Sequence, residues 1–172
     1  MKLDLSSEIT LEMIPERYYR SNDMFESLSQ RRYEKLRTNI YKDANEGSVF
    51  TARVIADLIK RKSDQGESCY LGLSGGSSPS YVYDELVRIH QEEKLSFEDV
   101  VVFNVTEFFP VYTDGRHSNA SLLRDQLISK VNIKPENFHT PDASVDRSNV
   151  YEFCQKHERL IDENEGLDLL LT

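Results

Sequence analysis

Tryptophan is absent from this 172-residue chain, cysteine occurs twice and histidine four times. Two cysteines cannot build a disulfide framework. Cys69 in an apolar stretch and Cys154 in an amphipathic one suit small buried hydrophobes in a reducing compartment, so a cytoplasmic location is expected. Metal ligation is not expected either, because no C-x-x-C pair occurs and His157-Glu158 lacks the second histidine of H-E-x-x-H. No segment reaches the roughly 18 apolar residues of a membrane helix, and the N-terminus has no signal-peptide core, so neither a membrane partner nor export is expected. Positive charge is scarce too. With 21 Lys and Arg against 30 Asp and Glu, the net charge of −9 provides no basic field for nucleic acid or an anionic membrane, and any phosphate site must be a local device. The lone Arg31-Arg32 pair fits a solvated helix face.

The chain is 38% hydrophobic, enough for one domain with a core. Residues 1–40 are the least regular and read as an arm, whose Tyr18, Tyr19 and Tyr33 could pack on the domain or on a second subunit of a homo-oligomer. From Ser48 the pattern is helical, ending in Lys60-Arg61-Lys62, cations suited to a helix C-terminus. Tyr70–Leu73 reads as a short apolar strand and Val100–Phe103 as a strand buried on both faces, with a helix over 81–90 between them. A helix over Ser118–Lys130, a turn at Lys134-Pro135-Glu136-Asn137 and a short strand near Phe138 follow. Val150, Phe153, Cys154, His157, Leu160 and Ile161 share one helical face, where His157 reads as a histidine at the core's edge. Gly166 ends that helix, and Leu167–Thr172 reads as a buried strand. Such alternation predicts an α/β fold, a Rossmann-like doubly wound and mainly parallel sheet. A last strand without a crossover helix suggests a truncated chain, and the loops after Leu73, Phe103 and Leu171 would share one sheet edge.

Ser74-Gly75-Gly76-Ser77-Ser78, between a strand and Pro79, has the composition of a phosphate cradle. The glycines permit φ > 0 and close approach of an anion, the serines offer hydroxyls, and Pro79 is pre-set for the first helical turn. Gly75→Val is accordingly expected to obstruct the anion while leaving the fold intact. The plainest alternative is a tight turn. A sharper one reads Gly72-Leu73-Ser74-Gly75-Gly76 as a G-x-S-x-G nucleophile elbow, with Asp114 and His117 or His139 following in acid-then-base order. Against it, four residues separate Ser74 from the Pro79-led helix instead of a sharp turn, and no HGGG-type oxyanion loop precedes it. A second polar segment, Asn104-Val105-Thr106-Glu107, leaves the next strand toward the same edge.

Taken in order, Leu71 to Pro79, Val101 to Phe108, Ser118-Asn119 and Ile133 to Asn137 resemble the glucosamine-6-phosphate isomerase/deaminase family over roughly residues 41–172. The resemblance implies a cofactor-free reaction on a small-molecule sugar phosphate. The ring opens, a proton moves between C1 and C2, and the amine leaves as ammonia, giving fructose 6-phosphate. It implies phosphate binding by Ser74, Gly75, Gly76, Ser77 and Ser78, and a catalytic place for Thr106 and Glu107. The family's base, however, is the Asp of F-N-x-D-E-Y, where this chain has Thr106. A threonine hydroxyl does not ionise near neutral pH, so Glu107 is either its substitute or a residue that caps and orients the site. The family's later G-x-G-x-D-G-H-I-A-F-N-E-P segment and C-terminal lysine have no counterpart before Thr172, so this chain is expected to bind weakly and turn nothing over. The related 6-phosphogluconolactonases share S-G-G-S-T-P but carry G-D-E-R at the second segment, and a non-catalytic sugar-phosphate sensor would also tolerate Thr106.

Overall fold

The chain divides into two units, Met1–Gly47 and Ser48–Thr172. The computed structural model describes Phe25 and residues 38–110, 118–164 and 166–172. Tyr18, Tyr19, Tyr33 and the Arg31-Arg32 pair lie outside these residues, as do Asp114 and His117.

Helix α1 spans Ala44–Asp64. It starts four residues before the expected Ser48 because the Asp43 side chain accepts a hydrogen bond from the Glu46 amide (2.8 Å), satisfying a donor that the first turn leaves free. Strand β1 (Cys69–Leu73), helix α2 (Ser80–Glu93) and strand β2 (Val100–Asn104) follow. The run of three valines and a phenylalanine makes β2 the most strand-prone segment of the chain. Helix α3 covers only Asn119–Gln126, capped by the Ser118 hydroxyl, because the chain leaves helical geometry at Leu127 and continues as a 3-10 turn over Ile128–Lys130. A second such turn at Pro135–Asn137 leads into β3 (Phe138–His139), and helix α4 (Val150–Asp162) into β4 (Leu169–Leu170).

All four strands are parallel, in the order β3-β2-β1-β4. Winding therefore runs outward from β1 to β3 and then returns to the far side of β1. In open parallel sheets the crevice at such a reversal, beyond the strand C-termini, is where ligands bind. The loop after β1 starts there.

Cys69, Leu71, Leu73, Val100 and Val102 point to one face, where they join Ile55 and Ile59 of α1, Tyr83 and Leu86 of α2, and Leu123 of α3 in one buried cluster. Each fully buried large side chain there contributes about 1.5–3 kcal/mol. Phe103 faces the other way, stacked on His139 (4.9 Å between ring centroids) and edge-on to His157 of α4 (5.9 Å). Helices thus cover both faces, as a doubly wound sheet requires.

The α4 side is thinner than its sequence pattern suggested. No residue of α4 is fully buried, and a cleft of about 290 Å³ lies beside it, lined by Val105, Phe108, Val145, Phe153 and Cys154 among others. Two expectations are corrected by this. Cys154 is exposed instead of buried, since it lies at this cleft, while His157 of the same helix reaches Phe103. Strand β4 is two residues long and Leu170 is 55% exposed, because among the described residues only β1 pairs with it. Leu169 still packs against the core, and polar contacts add to its hold: Asp168 accepts the Tyr70 amide (2.9 Å) and pairs with Lys62 (2.9 Å).

Cys69 is buried in the core, and burial, helped by the nearby Asp168 charge, pushes its thiol up to about 12. A maleimide reagent in mildly alkaline buffer is therefore expected to label Cys154 and spare Cys69 until denaturant is added. Peptide mass analysis checks this, and early modification of Cys69 would mean that β1 is not buried as described.

Candidate functional site

The loop Ser74–Ser78 has its backbone polarity sorted. Three of its five carbonyls are engaged from within: Ser74 accepts from the Tyr83 hydroxyl (2.6 Å), Gly76 from Nε2 of Gln126 (2.8 Å) and Ser77 from the Ser80 hydroxyl (2.6 Å). The amides of Gly75, Gly76, Ser77 and Ser78 have no acceptor among the described residues. Burial pushes the Tyr83 phenol well above its ordinary range, so it remains a neutral donor holding the loop from below. Ser77 and Ser78 are exposed and the two glycines half-buried, which leaves the donor side accessible.

Pro79 stands at the N-cap of α2, one residue before the helix proper, and no side chain caps that terminus. No acidic residue occupies the first turn. The uncapped positive end of a 14-residue helix thus adds to the loop's amides, an arrangement suited to an anion.

The two glycines do different jobs. Gly76 has φ +146°, a conformation that other residues adopt only with strain. Gly75 is needed for closeness: a Cβ placed there would lie 2.2 Å from the backbone oxygen of Asn119 and 3.0 Å from Cβ of Leu122. The expectation that Gly75→Val spares the fold is therefore overturned, since the added carbon meets a helix backbone before it meets any ligand.

Strand β2 ends at Asn104, level with Leu73, and the Val105 amide still bonds the Leu73 carbonyl (2.9 Å). Thr106 and Glu107 lie just past the strand, on the edge that carries the loop. Thr106 is exposed, and its hydroxyl accepts from the Asn119 side-chain amide (3.3 Å). Glu107 turns back under α3. One carboxylate oxygen accepts the amides of Phe108 (3.0 Å) and Asn119 (2.9 Å), the other the Ser118 hydroxyl (2.8 Å) and the Ala120 amide (3.0 Å). Burial alone would raise its pKa, but these donors outweigh burial and hold the carboxyl below the ordinary carboxylate range. Glu107 therefore occupies the N-terminus of α3, as a charged cap.

Ser74 does not sit on an elbow, since α2 starts six residues later at Ser80. Among the described histidines, His139 and His157 pack on Phe103, and burial holds both imidazoles below the ordinary histidine range. His90 bonds the Leu95 carbonyl through Nδ1 (2.6 Å). Among the described residues no group of three His, Cys, Asp or Glu side chains could hold a metal ion, and no helix is long and apolar enough to cross a membrane.

Tyr83, Asn119 and Gln126 support the site without having been singled out by sequence motif. Each looked like an ordinary helix residue, and only Ser118-Asn119 carried a signal, through its place among the resembling segments.

The profile of the glucosamine-6-phosphate isomerases/6-phosphogluconolactonase family matches residues 42–171. A glucosamine-6-phosphate deaminase-like protein of Bacteroides thetaiotaomicron is 42% identical over 171 residues, 99% of this chain and 26% of that protein. This match runs through the first 41 residues, which the family profile omits. A structure of a monomeric glucosamine-6-phosphate deaminase superposes with a TM-score of 0.68 at 29% identity, covering 73% of this chain and 50% of that one. A 6-phosphogluconolactonase from Thermotoga maritima gives 0.60 at 26% identity, covering 72% and 54%. This chain thus spans from about a quarter to about half the length of these relatives. With the profile covering most of its residues, the chain belongs to the glucosamine-6-phosphate isomerase/6-phosphogluconolactonase family.

Proposed function

We infer that the Ser74–Ser78 loop receives the phosphate of an amino-sugar phosphate, and that the chain carries this part of a glucosamine-6-phosphate isomerase/deaminase site. The observation that carries the reading is the division of the loop's backbone: three carbonyls tied down inside, four consecutive amides left without an acceptor among the described residues at an uncapped helix N-terminus. Amide donors of this kind bind phosphate without net positive charge, in keeping with an acidic chain.

At the strand end, the exposed Thr106 hydroxyl is placed to hydrogen-bond a sugar hydroxyl. It does not move the proton between C1 and C2, for want of an accessible ionisation, and the Glu107 carboxylate is committed to α3. The chain by itself is thus a binder without a proton-transferring base. No cofactor enters this reading.

Calorimetric titration of the 172-residue protein with glucosamine 6-phosphate, and separately with glucosamine, tests it. Binding of the phosphorylated sugar alone, with ammonia release at background, is the expected result. Equal affinity for both sugars would remove the loop from the reading, and ammonia above background would overturn the inactivity. Acid release from 6-phosphogluconolactone would move the chain to the lactonase side of its family.

A further inference from the structure

Thr106 and the phosphate loop lie on different strand ends, yet both are held by the same short helix. Three contacts establish this. The Asn119 carbonyl sits so close to Gly75 that a Cβ there would come within 2.2 Å of it. Nε2 of Gln126, at the other end of α3, donates to the Gly76 carbonyl (2.8 Å). The Asn119 side chain donates to the Thr106 hydroxyl (3.3 Å). Helix α3 therefore lies along the loop and fixes the direction of its amides, while its first residue orients the hydroxyl of the neighbouring strand end.

What fixes α3 is Glu107. Its two oxygens accept from four donors, three of them on Ser118, Asn119 and Ala120. Ser118 is fully buried and also caps the helix through the Ser121 amide (3.2 Å). At eight residues, α3 is too short to hold its orientation by helix propensity. A carboxylate that binds two of its first amides and its N-cap hydroxyl supplies the missing anchor.

We propose that Glu107 is a positioning residue which, by clamping the first turn of α3, sets the geometry of the Gly75–Gly76 amides and of Thr106 together, without touching the sugar phosphate itself. The proposal rests on the reading of the loop as an anion receptor, but its central claim is a coupling within the protein that can be observed with no ligand present. Glutamine is the informative replacement. It has nearly the same shape, and whichever way its amide is turned, an NH2 group faces two donors, so the clamp loses an acceptor and gains a clash of like polarity.

The test compares the wild-type protein with Glu107→Gln by amide NMR and by titration with glucosamine 6-phosphate. The expected result is a folded variant whose Gly75 and Gly76 amide resonances shift in the free protein and whose affinity falls about tenfold or more. A folded variant with unmoved Gly75 and Gly76 resonances overturns the proposal. Where Glu107→Gln fails to fold, Gln126→Ala, which leaves the clamp intact and releases only Gly76, is read in the same way: unmoved loop resonances refute the role of α3. If the wild-type protein itself does not bind the sugar phosphate, the loop reading fails, and the resonance comparison still decides the coupling.

Discussion

Gly75→Val is expected to lower the thermal stability of the protein substantially, and not merely to block its ligand. The new Cβ would stand 2.2 Å from the Asn119 carbonyl and 3.0 Å from Leu122, and a carbonyl at the start of a clamped helix cannot swing aside as a side chain would. Overpacking of this kind costs typically about 1–3 kcal/mol and sometimes more. For a protein of this size that is on the order of a 2–12 °C fall in Tm, measurable by circular dichroism. Gly76 supplies the contrast. A Cβ there meets only Cδ of Pro79 at 3.9 Å, so Gly76→Ala is opposed by its φ of +146° and not by a neighbour. Its cost, about 1–3 kcal/mol of backbone strain, should fall on the loop itself. If Gly75→Val melts with the wild type, α3 does not lie against the loop.

The second large effect runs in the stabilising direction. Asn104 is fully buried at the end of β2, and neither its Nδ2 nor its Oδ1 has a hydrogen-bond partner among the described residues. In register it lies beside Leu73, so its carboxamide shares the face of the apolar core. A buried polar group without a partner costs about 1–3 kcal/mol, and leucine has nearly the shape of asparagine without the polarity. Asn104→Leu is therefore expected to raise Tm by several degrees, with the gain visible in chemical denaturation as a higher midpoint at unchanged slope. A lowered Tm would mean that the carboxamide has an energetic role that its surroundings do not reveal. Retaining a destabilising polar residue at a strand C-terminus beside a candidate ligand loop fits the general pattern of stability yielding to function.

Most of the fold was legible because it follows from periodicity. The valine run of β2, the apolar strand before the glycines and the 3.6-residue spacing of the helices each specify an element locally, and alternating helices and strands leave few topologies open. Errors occurred where neighbours decide. Cys154 stands on a strongly amphipathic helix, yet it is exposed because nothing among the described residues covers the cleft beside it. The helix expected to run to Lys130 stops at Gln126, a break that no glycine or proline announces.

The same division runs through the site. Loop composition and its place after a strand made Ser74–Ser78 the candidate anion receptor, since glycine, serine and a following proline constrain a backbone whatever surrounds it. Thr106 could also be weighed from its chemistry alone, as a hydroxyl that does not ionise near neutral pH. What Glu107 does could not be read this way. Its donors are Phe108 next to it and Ser118, Asn119 and Ala120 eleven to thirteen residues onward, and only the packing of α3 against the strand end brings them to one carboxylate. Tertiary structure likewise decided that Gly75 answers to a helix carbonyl, because a sequence shows that a residue can approach closely but never what it approaches.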